Sequence, residues 1–280
     1  MATKKKADSA AKAKAAEIAA KQAAADRRNT IIGVAAIVVV AVAIAVAAYF
    51  IINQDDGLKA GDEDDPYGIY TTGELIYPSA VDESQGFPVG QSGVVGDVSP
   101  EGAIRVDIYE DPICPFCSLF NEIVAEDLVA AREAGDVVVY YHPISFLDGT
   151  SQGTNYSTRA VSAMASIAEH DPANFEAFLH SLLINAPEEG TKGLTNGEIA
   201  QIARDAGVSE EAIEKIKLGE FTQWVAKATE QSSIDGVRGT PTVMFDGAEY
   251  TGNWTVEGQF AADIEFLVGF KALNEEVVND

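Results

Sequence analysis

The 280-residue sequence predicts an α/β domain in which a block of helices is inserted into a single sheet and the whole follows one apolar span. Three observations carry that reading. Residues 31–52 hold no charged or strongly polar side chain. Downstream, hydrophobic periodicity runs strand, helix, strand, helical block, hairpin, helix. The only two cysteines, Cys114 and Cys117, fall at the first strand-to-helix junction.

The apolar run comes first. Twenty-two residues at about 1.5 Å rise reach roughly 33 Å, enough for a hydrocarbon core of about 30 Å. The flanks are unequal: residues 1–30 carry eight Lys or Arg against three Asp or Glu, whereas Asp55 and Asp56 follow the run. The positive-inside rule then puts the tail at 1–30 in the cytoplasm and residues 53–280 outside the membrane. A cleaved signal peptide competes, because Ala41-Val42-Ala43 and Ala45-Val46-Ala47 resemble small-residue cleavage sites, but the run exceeds the usual signal core of about 7–15 residues. Either way the remainder is exported.

Formal net charge is −25 for the chain and −30 once the tail is set aside. A phosphate backbone would be repelled, so no nucleic-acid partner is expected; the surplus acid serves solubility. Residues 53–79 are rich in Asp and Glu with scattered Gly and Pro, a composition that suits an acidic linker. A domain over 80–280 follows, its helical insertion spanning about 151–233.

Within it, Ile104, Val106 and Ile108 alternate with Arg105, Asp107 and Tyr109, the period of a strand. After Cys117, apolar residues Phe120, Ile123, Val124 and Leu128 recur at three and four, and Gly135 is placed to cap the helix. Val137 through Tyr141 reads as a buried strand. Four or five helices fill roughly 157–231, one opened by the capping box from Thr195 to Glu198 and ended near Gly207. Thr242 to Phe245, Asp246-Gly247 and Ala248 to Tyr250 form a hairpin, and a last helix covers about 256–273. No internal repeat is evident.

Two cysteines three positions apart in an exported chain suit a redox pair. The active form of a thiol is the thiolate, and a helix N-terminus stabilises it. Cys114 sits where free backbone N–H groups converge, and Pro115 occupies an early helical position that spares its missing donor. Cys117, one turn on, is more enclosed. A structural disulfide would close a trivially small loop. Zinc would need two further ligands, and His142, His170 and His180 show no tight spacing; each reads as an ordinary surface or partly buried residue. No metal or cofactor is expected. Gly239-Thr240-Pro241-Thr242 opens the returning strand, where proline cannot join a ladder and tolerates a cis bond; alone, it reads as strand initiation.

Taken together, Tyr109 through Cys117, His142 through Asp148, Gly190 through Leu194 and Gly236 through Thr242 resemble the DsbA-like branch of the thioredoxin superfamily, in particular its membrane-tethered actinobacterial forms. The resemblance covers roughly 80–280. It implies a thioredoxin-like fold, a nucleophilic Cys114, a resolving Cys117 supported by Pro115 and Phe116, and a cis Pro241 facing them, with Thr240 pairing an extended substrate. Two departures bear on the direction of electron flow. Phe116 stands where strongly oxidising relatives carry His, and Glu110 and Asp111 lie just before Cys114, where negative charge raises a thiol pKa. The buried acid that serves some relatives as proton acceptor falls by spacing on Ile108, leaving proton handling unassigned.

The expected activity is extracytoplasmic thiol-disulfide exchange that introduces disulfides into exported cysteine-containing proteins. A membrane quinone-linked partner of DsbB-like or vitamin K epoxide reductase-like type would reoxidise the domain. The alternatives are a disulfide reductase or isomerase, or a non-catalytic peptide-binding module on the same fold.

Overall fold

The structure, a computed structural model, describes residues 66–69 and 73–279. The tail at 1–30 and the span at 31–52 lie outside the described residues. Among those described, no helix is long and apolar enough to cross a membrane.

Five strands form one sheet in the order β1-β3-β2-β4-β5. Its centre is β2 (Ile104–Glu110) beside β3 (Val137–Pro143), parallel and in register from Ile104↔Val137 to Glu110↔Pro143. A parallel pair needs a crossover, supplied by α1 (Pro115–Ala134). Gly135 ends α1 at φ 82, and its N–H returns to Arg132 O; the left-handed conformation is the reason glycine stands there. The edge strand β1 (Phe87–Val89) pairs antiparallel with β3 and is absent from the sequence-based reading. Three residues with a central proline show no usable period, and proline belongs on an edge.

The chain then leaves the sheet for the insertion: a 3-10 turn (Asp148–Thr150), α2 (Tyr156–His170), α3 (Phe175–Ile184), α4 (Asn196–Asp205), α5 (Glu210–Ile216) and α6 (Thr222–Ile234). Helix α2 is buried on every side from Tyr156 through Ala168. Ala160, Ala163, Ala165 and Ala168 let its neighbours approach closely, which explains why an all-round small-residue helix is stable there. The capping box at Thr195 forms as expected, with Thr195 Oγ1 accepting from Glu198 N and Glu198 Oε2 accepting from Thr195 N. Thr195→Ala is expected to lower stability by about 1 kcal/mol, read as a shift in the urea midpoint without a change in slope.

The hairpin of β4 (Thr242–Phe245) and β5 (Ala248–Glu249) turns through Asp246 and Gly247, both at positive φ, as a two-residue hairpin requires. The last helix, α7 (Gln259–Asn279), starts three residues later than the periodicity indicated and runs further. Phe260 and Ile264 of α7 join the core that Phe120 and Val124 of α1 share with the sheet.

Part of the stretch read as linker lies against the helices. Asn196 donates from its backbone to Pro66 O and from its amide to Gly68 O, both at 2.9 Å. Gly68, Ile69 and Pro78 are buried. Ser79 N donates to Glu169 Oε2 at 2.7 Å.

Candidate active site

The sheet delivers the chemistry through β2. Beyond Glu110 the chain turns at Asp111-Pro112-Ile113, and Cys114 caps α1 with Pro115 in the first helical position. Cys114 N donates to Asp111 O at 2.9 Å, closing the turn. Cys117 follows one turn later and is fully buried, whereas Cys114 retains 4% exposure. The difference fits an outer sulfur for attack and an inner one for resolution.

Opposite them lies the loop before β4. The Thr240–Pro241 bond is cis, and the Cys114 thiol donates to Thr240 O at 3.3 Å. The structure thus brings together Cys114, Pro115, Phe116, Cys117, Thr240 and Pro241, every site residue expected from the sequence. Cys114, Pro115, Phe116 and Thr240 line an open groove of about 500 Å³. Phe146, Leu147 and Val237 give it apolar walls, and Glu189 and Arg238 add one charge of each sign. Phe116 is 62% exposed. Its apolar ring is thus held out to solvent beside the thiol.

Electrostatics separates the two sulfurs. The Cys117 thiol hydrogen-bonds to Cys114 and, against the effect of burial, hydrogen bonds from the Thr240 side chain and from the backbone N–H groups of Cys117 and Phe116 bring Cys114 down to about 6. Position 116 therefore helps through its main chain, where the side chain has nothing to offer. Burial pushes Cys117 well up, and the hydrogen bond to Cys114 with the charges of Cys114 and Glu110 pushes the same way.

Spacing puts Ile108 at the position of the buried acid and leaves proton handling unassigned, but a buried carboxyl lies one step further along the same strand face. Glu110 continues the inward face of Ile104, Val106 and Ile108, is 2% exposed, and its Oε1 has no hydrogen-bond partner. Burial and the neighbouring Cys114 push its carboxyl up to about 8. Asp107, on the other face, is occupied: His142 Nε2 lies 2.8 Å from its Oδ1, and Arg105 Nε donates to both carboxylate oxygens. His142, expected as a surface or partly buried residue, is buried at 2% exposure and stacks on Tyr109. Burial opposes ionisation of Asp107, yet His142 and Arg105 hold its carboxyl low. That pair is spent on packing the sheet. Among the described residues no cluster of three or more His, Cys, Asp or Glu side chains is placed to hold a metal ion.

A mixed sheet with an inserted helical block, and a Cys-x-x-Cys helix N-terminus facing a cis-proline, give the architecture of the DsbA-like thiol-disulfide oxidoreductases. The chain belongs to the thioredoxin family, whose model matches residues 93–262, more than half of its length. Among solved structures it is similar to the reduced form of the disulfide bond oxidoreductase DsbG from Mycobacterium tuberculosis, 26% identical over 68% of this chain and 90% of that one, TM-score 0.56. It is also similar to reduced DsbA from the same organism, 26% identical over 66% of this chain and 92% of the other, TM-score 0.55. Among curated proteins it is 34% identical over 151 residues to the serine/threonine-protein kinase PknE of Mycobacterium tuberculosis. That match takes in 51% of this chain and 26% of the kinase, so the chain spans about a quarter of the curated relatives it matches.

Proposed function

We propose that the domain works outside the cytoplasmic membrane, tethered by residues 31–52, and introduces disulfides into exported cysteine-containing proteins. The oxidised enzyme carries a Cys114–Cys117 bond. A substrate thiolate attacks Cys114 Sγ, the S–S bond breaks, and Cys117 leaves as a thiolate that takes the proton of Glu110. A second substrate thiolate then attacks the substrate sulfur of the mixed disulfide and expels Cys114 as thiolate. The substrate loses two electrons and gains a disulfide; the enzyme holds them as a dithiol. A membrane quinone-linked partner of DsbB-like or vitamin K epoxide reductase-like type would take the electrons, and tethering beside it raises its effective concentration.

The observation that carries the oxidising direction is the Cys114 sulfur at the head of α1, brought down to about 6. A stabilised thiolate is a better leaving group and favours the reduced enzyme, which makes its disulfide a stronger oxidant. An extended peptide would run along Thr240 with an apolar side chain against Phe116, Phe146 or Leu147. The charge of Glu110, which opposes thiolate formation at Cys117, favours the rival reductase reading.

Equilibrating the full chain with glutathione buffers decides between them. The Cys114–Cys117 couple is expected well above about −270 mV, the potential of thioredoxin. A value at or below that figure would overturn the oxidising role.

A further inference from the structure

We propose that Asp111 is a positioning residue that ties the redox turn to the wall of the substrate groove, so that it sets how well a polypeptide docks beside Cys114. The proposal rests on the thiol-exchange reading above and extends it to a residue that touches neither sulfur through its side chain.

Asp111 is fully buried, and three donors from three separate elements converge on its carboxylate. Oδ1 accepts from Ile113 N of the redox turn at 3.1 Å and from Ser157 Oγ of α2 at 2.6 Å. Oδ2 accepts from Leu147 N at 2.8 Å. Leu147 and its neighbour Phe146 form the groove wall that faces Cys114, Phe116 and Thr240. The same wall is held upstream by Ser145 N on Thr229 Oγ1 and downstream by Asp148, which accepts from Thr158 N. Between those anchors, the Leu147 N–H is fixed to the residue three positions before the nucleophile.

The donor set explains why the residue is an aspartate. Burying a carboxylate costs several kcal/mol unless hydrogen bonds offset it, and burial here pushes the carboxyl up to about 7 against the pull of Ser157, Leu147 and Ile113. An asparagine fits the space but offers acceptor character on one side only. With its oxygen toward Ile113 and Ser157, its amide would meet the Leu147 N–H donor to donor. The redox turn keeps its contacts in that variant, and the groove wall loses its tether.

The test compares two substrates on the full-length chain. One is an extended cysteine peptide with an aromatic residue beside the cysteine, long enough to fill the groove; the other is reduced glutathione at equal thiol concentration. Asp111→Asn is expected to raise KM for the peptide about tenfold, equivalent to about 1.4 kcal/mol of lost docking, with kcat and the glutathione rate within about twofold of wild type. Ser157→Ala removes one donor and leaves the carboxylate, and serves as the milder arm should the asparagine variant not fold. It is expected to raise peptide KM about threefold with the glutathione rate unchanged. Equal losses on both substrates in step with a lowered Tm would mean that Asp111 only stabilises the fold, and unchanged peptide KM in both variants would equally overturn the proposal. If the wild-type chain exchanges with neither substrate, the thiol-exchange reading fails before this question arises.

Discussion

Cys114→Ser is expected to lower thiol-disulfide exchange by at least about a thousandfold, because the thiolate is the reacting species and a serine hydroxyl does not ionise in the working range. The fold should survive, since the sulfur sits at a helix cap and serine keeps nearly the same volume and can hydrogen-bond to Thr240 O in its place. Cys117→Ser should behave differently: the free Cys114 thiolate still attacks a substrate disulfide, and that mixed disulfide accumulates because the chain has no second thiol to release it. Alkylation of the reduced wild-type chain by iodoacetamide should follow a half-maximal pH near 6 for Cys114, against about 8.5 for an ordinary thiol. The linkage has a definite sign. Cys114 titrates only in the reduced form and its pKa is depressed, so its contribution is fully present above about pH 8.5 and is lost as pH falls through about 6. The stability of the reduced form relative to the oxidised form should therefore fall across that window on acidification. A serine variant that kept full exchange activity would instead leave the domain as a peptide-binding module.

The elements that place Cys114 were legible because their signals are local. The alternation of Ile104, Val106 and Ile108, the glycine at 135, the capping box at Thr195 and the Asp246-Gly247 turn each express backbone preferences within a few residues, and each forms as read. Cys114 to Cys117 and Thr240-Pro241, singled out by their order along the chain, lie together in the structure. What escaped was set by contacts between distant segments. Asp111 meets Ser157 and Leu147 across 46 and 36 positions, and His142 reaches Asp107 across 35; nothing local marks these as buried partners. In a chain with 44 acidic residues, a buried Asp or Glu resembles a solvated one. Glu110 did carry a signal. It continues the even-numbered inward face of β2 by one more step, so extending the alternation past Tyr109 would have placed a carboxyl in the core beside the cysteines. The strand β1 gave none, because three residues with a central proline are too short to show a period.

Glu110→Gln should separate proton transfer from folding in one variant. The carboxyl is fully buried with an unpartnered oxygen, and it titrates near 8 against about 4.3 for an exposed glutamate. Below about pH 4.3 the side chain is neutral in both folded and unfolded chains and costs no differential ionisation energy. Between about 4.3 and 8 the unfolded chain releases its proton and the folded chain keeps it, so stability falls as pH rises and levels off above about 8. Glutamine removes that penalty, so the variant should gain stability over wild type across this window, by several kcal/mol at its upper end, with a pH-independent difference outside it. Guanidinium unfolding of both proteins at pH 4, 6 and 8.5 measures the gain. Activity should move the other way. Without a carboxyl to protonate Cys117 when it leaves, or to accept its proton when it attacks, opening of the Cys114–Cys117 bond by a substrate thiolate and, in the reverse direction, resolution of a mixed disulfide by Cys117 should both slow roughly a hundredfold, the low end of what a positioned acid or base contributes, while attack of free Cys114 on a substrate disulfide, in which Cys117 takes no part, changes little. A variant that is stabilised as described yet resolves at the wild-type rate would assign proton transfer to solvent and leave Glu110 as a charge that only tunes the two sulfurs. A variant that resolves slowly but shows no pH-dependent gain would mean that Glu110 is ionised in the folded chain, which would reverse the proton step written for it.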